Sequence, residues 1–162
     1  MTNKRMGLLN EIWDAEDESY DLMQEYDSLP HRYGNRVLFQ AEAYIVNCIG
    51  RYPDITTTEL AKELRKTPSA CSQIIRKLVE QELVVQNRNQ TNKRIYNLRL
   101  TESGQKLYQD HISFNEDCQK ITFDMLEQFS EAELETFLRV QKCINEAYRG
   151  DIRRSRERNA DE

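Results

Sequence analysis

Residues 56–82 read TTTELAKELRKTPSACSQIIRKLVEQE. Thr56 followed three residues later by Glu59 is a capping box, in which hydroxyl and carboxylate each satisfy an orphan backbone donor at a helix start. The helix it opens, about 57–65, places Leu60, Ala61 and Leu64 on one face. After a short turn at Lys66-Thr67, Thr67 as N-cap and Pro68 at the first helical position start a second helix, about 68–81. Its inward residues are Ala70, Cys71, Ile74, Ile75, Leu78 and Val79.

Downstream the period changes. Leu83-Val84-Val85 and Ile95-Tyr96-Asn97-Leu98-Arg99-Leu100 read as two strands, with Tyr96, Leu98 and Leu100 on one face. Between them, residues 87–94 form a polar, basic tip. A short capped helix, a tight turn, a second helix and a basic hairpin is the order of a winged helix-turn-helix. The major groove admits one α-helix, whose N-terminal residues meet base edges while cations lie along the phosphates. The outward residues of the second helix are Thr67, Ser69, Ser72, Gln73, Arg76 and Lys77. Gln73 suits adenine, and Arg76 suits guanine or a phosphate. Arg88, Lys93 and Arg94 in the wing are placed for phosphates or the minor groove.

The flanks are helical. Leu8, Ile12, Trp13, Tyr20, Leu22, Met23 and Tyr26 mark an amphipathic helix over about 5–28, ended by Leu29-Pro30. A connector over 30–34, containing His31, closes with Gly34. Asn35 is then the expected N-cap of a helix over 36–51, stopped by Pro53. Thr101 caps a helix of about 102–128 with the row Leu107, His111, Phe114, Cys118, Ile121, Met125 and Phe129. Ser130 and Glu133 form another capping box before a helix of about 131–148, and the charged tail from Arg153 is expected to be disordered. The expected division is an N-terminal dimerisation helix and connector (1–34), a winged helix-turn-helix domain (35–100), C-terminal dimerisation helices (101–150) and a tail (151–162). The fold class is mainly α with a two- to three-stranded β-wing.

The 162 residues are 38% hydrophobic and 31% charged, with only 5 Gly and 3 Pro, a loop-poor profile that favours helices. Net charge is −5, yet residues 54–100 carry nine basic groups against five acidic, net +4. The flanks are acidic: net −4 over 1–53 and net −5 over 101–162. Because salt screens beyond roughly 10 Å, duplex DNA responds to the local field of the middle third. Cys48, Cys71, Cys118 and Cys143 form no CxxC and are expected to be buried, reduced side chains, with a redox-sensing thiol the other reading. No metal site or cofactor is expected. His111 reads as a core or interface histidine. There is no phosphate loop, HExxH or nucleophile elbow, so no enzyme is indicated. No run of about 18 apolar residues and no signal peptide is present, which points to the cytosol. A rival reading is a winged helix used only for protein docking, but the polar outward face of 69–77 lacks the apolar anchors such surfaces centre on.

The run Thr57-Thr58-Glu59-Leu60-Ala61-Lys62-Glu63-Leu64, then Thr67 through Leu78, Leu83-Val84, Asn92-Lys93-Arg94 and Leu100-Thr101-Glu102-Ser103-Gly104, resembles the multiple-antibiotic-resistance regulator (MarR) family. The resemblance implies a homodimer held by the first and last two helices. It also implies two winged domains on a palindromic site in double-stranded DNA, and often release by a small-molecule effector or by oxidation. By resemblance, Arg94 is the wing-tip arginine. Two positions depart from the family pattern: Asn92 stands where an aspartate is usual, and Glu82 where glycine usually closes the second helix. A left-handed cap at Glu82 would cost about 1 kcal/mol.

Overall fold

Thr56 accepts from the Glu59 amide at 3.3 Å while the Glu59 carboxylate accepts from the Thr56 amide at 2.8 Å. This closes the start of α3 (Thr57–Glu63) as the spacing predicts. Thr67 likewise accepts from the Ala70 amide at 3.2 Å, and Pro68 begins α4 (Pro68–Glu80). The structure is a computed structural model that describes residues 2–93 and 95–160; Arg94 lies outside the described residues. The chain divides into two compact units, residues 1–116 and 117–162.

In the first unit the elements run α1 (Asn3–Ser28), β1 (Pro30–Tyr33), β2 (Arg36–Phe39), α2 (Gln40–Arg51), α3, α4, β3 (Val84–Arg88) and β4 (Tyr96–Leu100), followed by the start of α5 (Glu102–Leu126). The core is built from Ile45, Val46 and Ile49 of α2, Leu60 of α3, Cys71, Ile75 and Leu78 of α4, Leu83, Val84 and Leu98 of the hairpin, and Leu107 of α5. Each such aliphatic side chain contributes about 1.5–3 kcal/mol by leaving water. Ala70, Ile74 and Val79 are only half-buried, at the rim of the same face.

Both helices of the pair end in the same way. Arg65 (φ 52°) and Glu82 (φ 56°) take the left-handed conformation. The Lys66 amide reaches the Ala61 carbonyl at 2.9 Å, and the Arg65 amide reaches Lys62 at 3.2 Å. The Leu83 amide reaches Leu78 at 2.9 Å, and the Glu82 amide reaches Val79 at 3.0 Å. These are two Schellman closures, each without glycine. Glu82 therefore keeps the cap that the glycine-rich pattern would supply. The close approach needed next is made at Gly104, where an added Cβ would sit 2.0 Å from the Leu83 carbonyl oxygen. Thr101 caps α5 there, accepting from the Gly104 amide at 2.9 Å and donating to the Glu82 carbonyl at 2.6 Å.

Three expectations are corrected. Residues 30–39 are not a connector and a helix start but an antiparallel hairpin with His31 opposite Leu38 and Tyr33 opposite Arg36. Gly34 (φ 57°) and Asn35 form its two-residue turn, so Asn35 caps nothing and α2 begins at Gln40. The α2 start is satisfied instead by the Glu42 carboxylate, which accepts from the Phe39 amide at 2.9 Å. Secondly, α6 runs Glu131–Ala160, so the tail expected to be disordered is helical through Ala160. Its alternating charges form i,i+3 pairs, Glu146 with Arg149 and Asp151 with Arg154, which support a helix as readily as a solvated coil. Thirdly, only Cys48 and Cys71 are buried; Cys118 is half-buried and Cys143 exposed.

In the second unit α6 opens with the predicted capping box, the Glu133 carboxylate accepting from the Ser130 amide at 2.9 Å. Ile121, Phe123, Met125, Phe129, Phe137 and Leu138 are exposed. In the first unit α1 buries no residue. Among the described residues no helix is long and apolar enough to cross a membrane.

Candidate nucleic-acid interface

The outer face of α4 carries Ser69, Ser72, Gln73 and Arg76, all exposed, with Thr67 at its N-terminal end. Their positions follow from the core: Cys71, Ile75 and Leu78 face inward, so residues offset by about 100° per step face solvent. Thr67 is occupied as the cap. Ser72 donates to the Pro68 carbonyl at 2.8 Å, leaving its oxygen as an acceptor. Among the described residues, neither Gln73 nor Arg76 has a side-chain hydrogen bond or ion pair, so both heads are available. The helix brings these four groups to one side of its first two turns.

Lys77 is placed differently. Its ammonium pairs with the carboxylate of Glu42, which is only 7% exposed, and lies 5.9 Å from the centre of the Phe39 ring. Its charge is committed to α2 rather than to the outer face.

In the wing, β3 and β4 pair with Arg88 opposite Tyr96 and Asn87 opposite Asn97. The Arg88 guanidinium lies 5.9 Å from the Tyr96 ring centre. Lys93 is exposed at the tip. The tip turn is organised by Asn89, whose Oδ1 accepts from the Thr91 amide at 3.0 Å, the Thr91 hydroxyl at 2.7 Å and the Asn92 amide at 3.0 Å. Asn92, which departs from the aspartate usual at that position in the MarR pattern, is held in this turn by its amide on Asn89.

The wing's base is held by charge. Arg99 chelates the Asp54 carboxylate, with Nε at 2.5 Å from Oδ1. The guanidinium holds the Asp54 carboxyl below its ordinary range and is itself pushed upward. Asp54 also has φ 71°, in the left-handed region. Asn89, Asn97, Asp54 and Glu42 were all missed as site-shaping residues. Asn89 was legible as an Asx-turn former, but the other three depend on contacts across more than 30 residues of chain.

Two histidines, His31 and His111, are buried in the first unit. The His31 Nε2 donates to the Tyr26 carbonyl at 2.9 Å, and its ring lies tilted against that of Tyr26, centroids 4.2 Å apart. His111 is buried, its Nδ1 3.3 Å from the Asn47 amide nitrogen, and its Nε2 has no partner among the described residues. Burial pulls the His111 pKa below its usual value. Among the described residues no group of three or more His, Cys, Asp or Glu is arranged to hold a metal ion.

Residues 39–95, from the start of α2 to the wing, match the sequence model of the MarR family. This stretch is similar to the MarR winged helix. The fold is similar to that of a zinc-responsive MarR family member, ZitR of Lactococcus lactis, with TM-score 0.75 and 19% identity over 87% of this chain and 99% of that one. FabT of Streptococcus pneumoniae, solved in complex with DNA, is similar with TM-score 0.65 and 18% identity over 89% of this chain and 97% of that one. MepR of S. aureus, also solved with DNA, is similar with TM-score 0.61 and 19% identity over 84% and 96%. No curated protein sequence matches the chain. The matched residues span the helix pair and most of the wing.

Proposed function

We propose that this chain is a transcriptional regulator that binds a palindromic operator in duplex DNA as a homodimer, acting as a repressor in the cytoplasm and released by a small molecule or by oxidation. The observation that carries the reading is the outer face of α4: Gln73 and Arg76 are exposed and uncommitted beside two hydroxyls, with a wing bearing Arg88, Lys93 and Arg94 following in the chain. An exposed amide and guanidinium on a helix of groove-fitting size read base edges, and the wing cations meet phosphates. Relatives of the same fold, FabT and MepR, were solved with DNA, which supports the same use here. The homodimer reading rests on α1 and on the apolar residues of residues 121–138, which stay uncovered in a single chain. No step of this function is enzymatic.

The test is binding of the purified chain to a random duplex library across a salt series, with recovery of enriched sequences. The expected result is a steep loss of affinity with salt and a two-fold symmetric site with half-sites about one helical turn apart. No binding at low salt, or binding with no enriched sequence, overturns the reading.

A further inference from the structure

We propose that Asn97 is a positioning residue that ties the wing tip to the loop opening the helix-turn-helix, and so presets the wing for DNA; this rests on the DNA-binding reading above. Asn97 sits in the middle of β4 and is half-buried, so it does not itself reach a phosphate. Its amide group donates to the Asp54 carbonyl at 2.9 Å. Its Oδ1 accepts from the Asn89 amide group at 3.0 Å. Asn89 in turn gathers the Thr91 and Asn92 amides on its own Oδ1. One unbroken relay of side-chain amides therefore runs from residue 54 to the turn that presents Lys93.

The far end of the relay is rigid. The Asp54 amide donates to the Leu98 carbonyl at 3.0 Å and the Leu98 amide to Ile55 at 2.9 Å. Thr56, the N-cap of α3, bridges to Asn97. The element that starts the helix pair and the strand that carries the wing are thus joined at one residue. A two-stranded hairpin alone is marginal in water, and its tip would have to be ordered at the moment of binding. With the relay intact that ordering is already present in the free protein. Without it the strands remain paired, but the tip is released.

The experiment compares the parent with Asn97→Ala and Asn89→Ala, the second lying away from the core in case the first impairs folding. Duplex affinity, its salt slope, base preference and amide hydrogen exchange are measured on the full chain. The expected result is an affinity loss of about fivefold for each variant, from one net hydrogen bond. The salt slope falls by about one, and preference at bases facing α4 is unchanged. The double variant is no weaker than either single one, because both break the same relay. Exchange at Thr91 and Asn92 is slow in the parent and at least tenfold faster in both variants. A parent that binds, with variants of equal affinity and slope, overturns the proposal even if the variants melt earlier. Equal exchange at Thr91 and Asn92 overturns it independently of DNA. A parent that binds no duplex removes the DNA-binding reading and this one together.

Discussion

Lys77 of α4 reaches back to Glu42 near the start of α2, so a cation on the second helix of the pair neutralises an acid in the protein's interior. Glu42 spends its other oxygen on the Phe39 amide. Removing the ammonium leaves a desolvated carboxylate with half its partners. Lys77→Met, which keeps the stem, is expected to lower unfolding free energy by about 1–3 kcal/mol in urea titrations. DNA affinity of the folded fraction should change less than about twofold. Unchanged stability with clearly weaker binding would assign Lys77 to a phosphate instead.

Glu82 holds a left-handed cap without the residue best suited to it. Glu82→Gly is expected to stabilise the chain by about 0.5–1 kcal/mol, since the cap's backbone bonds stay and the Cβ strain goes. Thermal unfolding of the two forms decides it, and a lower midpoint for the glycine form would show that the Glu82 side chain contributes more than its strain removes.

His111 is buried, and burial depresses its pKa below the ordinary histidine value of 6.5. The folded chain therefore holds it neutral, while the unfolded chain binds a proton below about 6.5. Stability is full above that pH and declines as pH falls toward the depressed folded value. A His111→Gln variant should lose less stability than the parent between pH 6.5 and 5. Parallel slopes in denaturant titrations at both pH values would place the acid sensitivity on another group.

The thiols should separate by reactivity. Burial pushes Cys48 up to about 11, with Glu63 adding to the shift, and burial also raises Cys71. Neither offers thiolate near neutral pH. Cys143 is exposed, so native-state labelling should modify Cys143 first and spare Cys48 and Cys71 until unfolding. Fast modification of Cys71 in the native state would bring the oxidation-sensing reading onto α4.

What could be read from the residues was what short spacing controls. Thr56 with Glu59, Thr67 with Pro68, Thr101, and Ser130 with Glu133 each set a helix start within four residues, and all four start where expected. The hairpin at 30–39 was hidden because His31 and Tyr33 look like connector residues until their burial is seen, although Gly34-Asn35 is a recognisable two-residue turn. The α6 extension was hidden because a charged run reads alike whether solvated or paired. On the candidate interface, the exposed set on α4 was legible from helical period alone. The diversion of Lys77 was not, since Glu42 lies 35 residues earlier, and the Asn97 relay spans 43 residues of chain.

α1 runs 26 residues without burying one of them. Most of a protein helix's stability comes from covering its apolar stripe, and α1's stripe is left open. With a second copy as the cover, the amount of ordered α1 becomes a matter of mass action, set by how often two chains meet. Abundance then enters twice, once in completing the polypeptide's own structure and again in filling the DNA site. Occupancy of DNA would respond to gene dosage more steeply than a monomer's could.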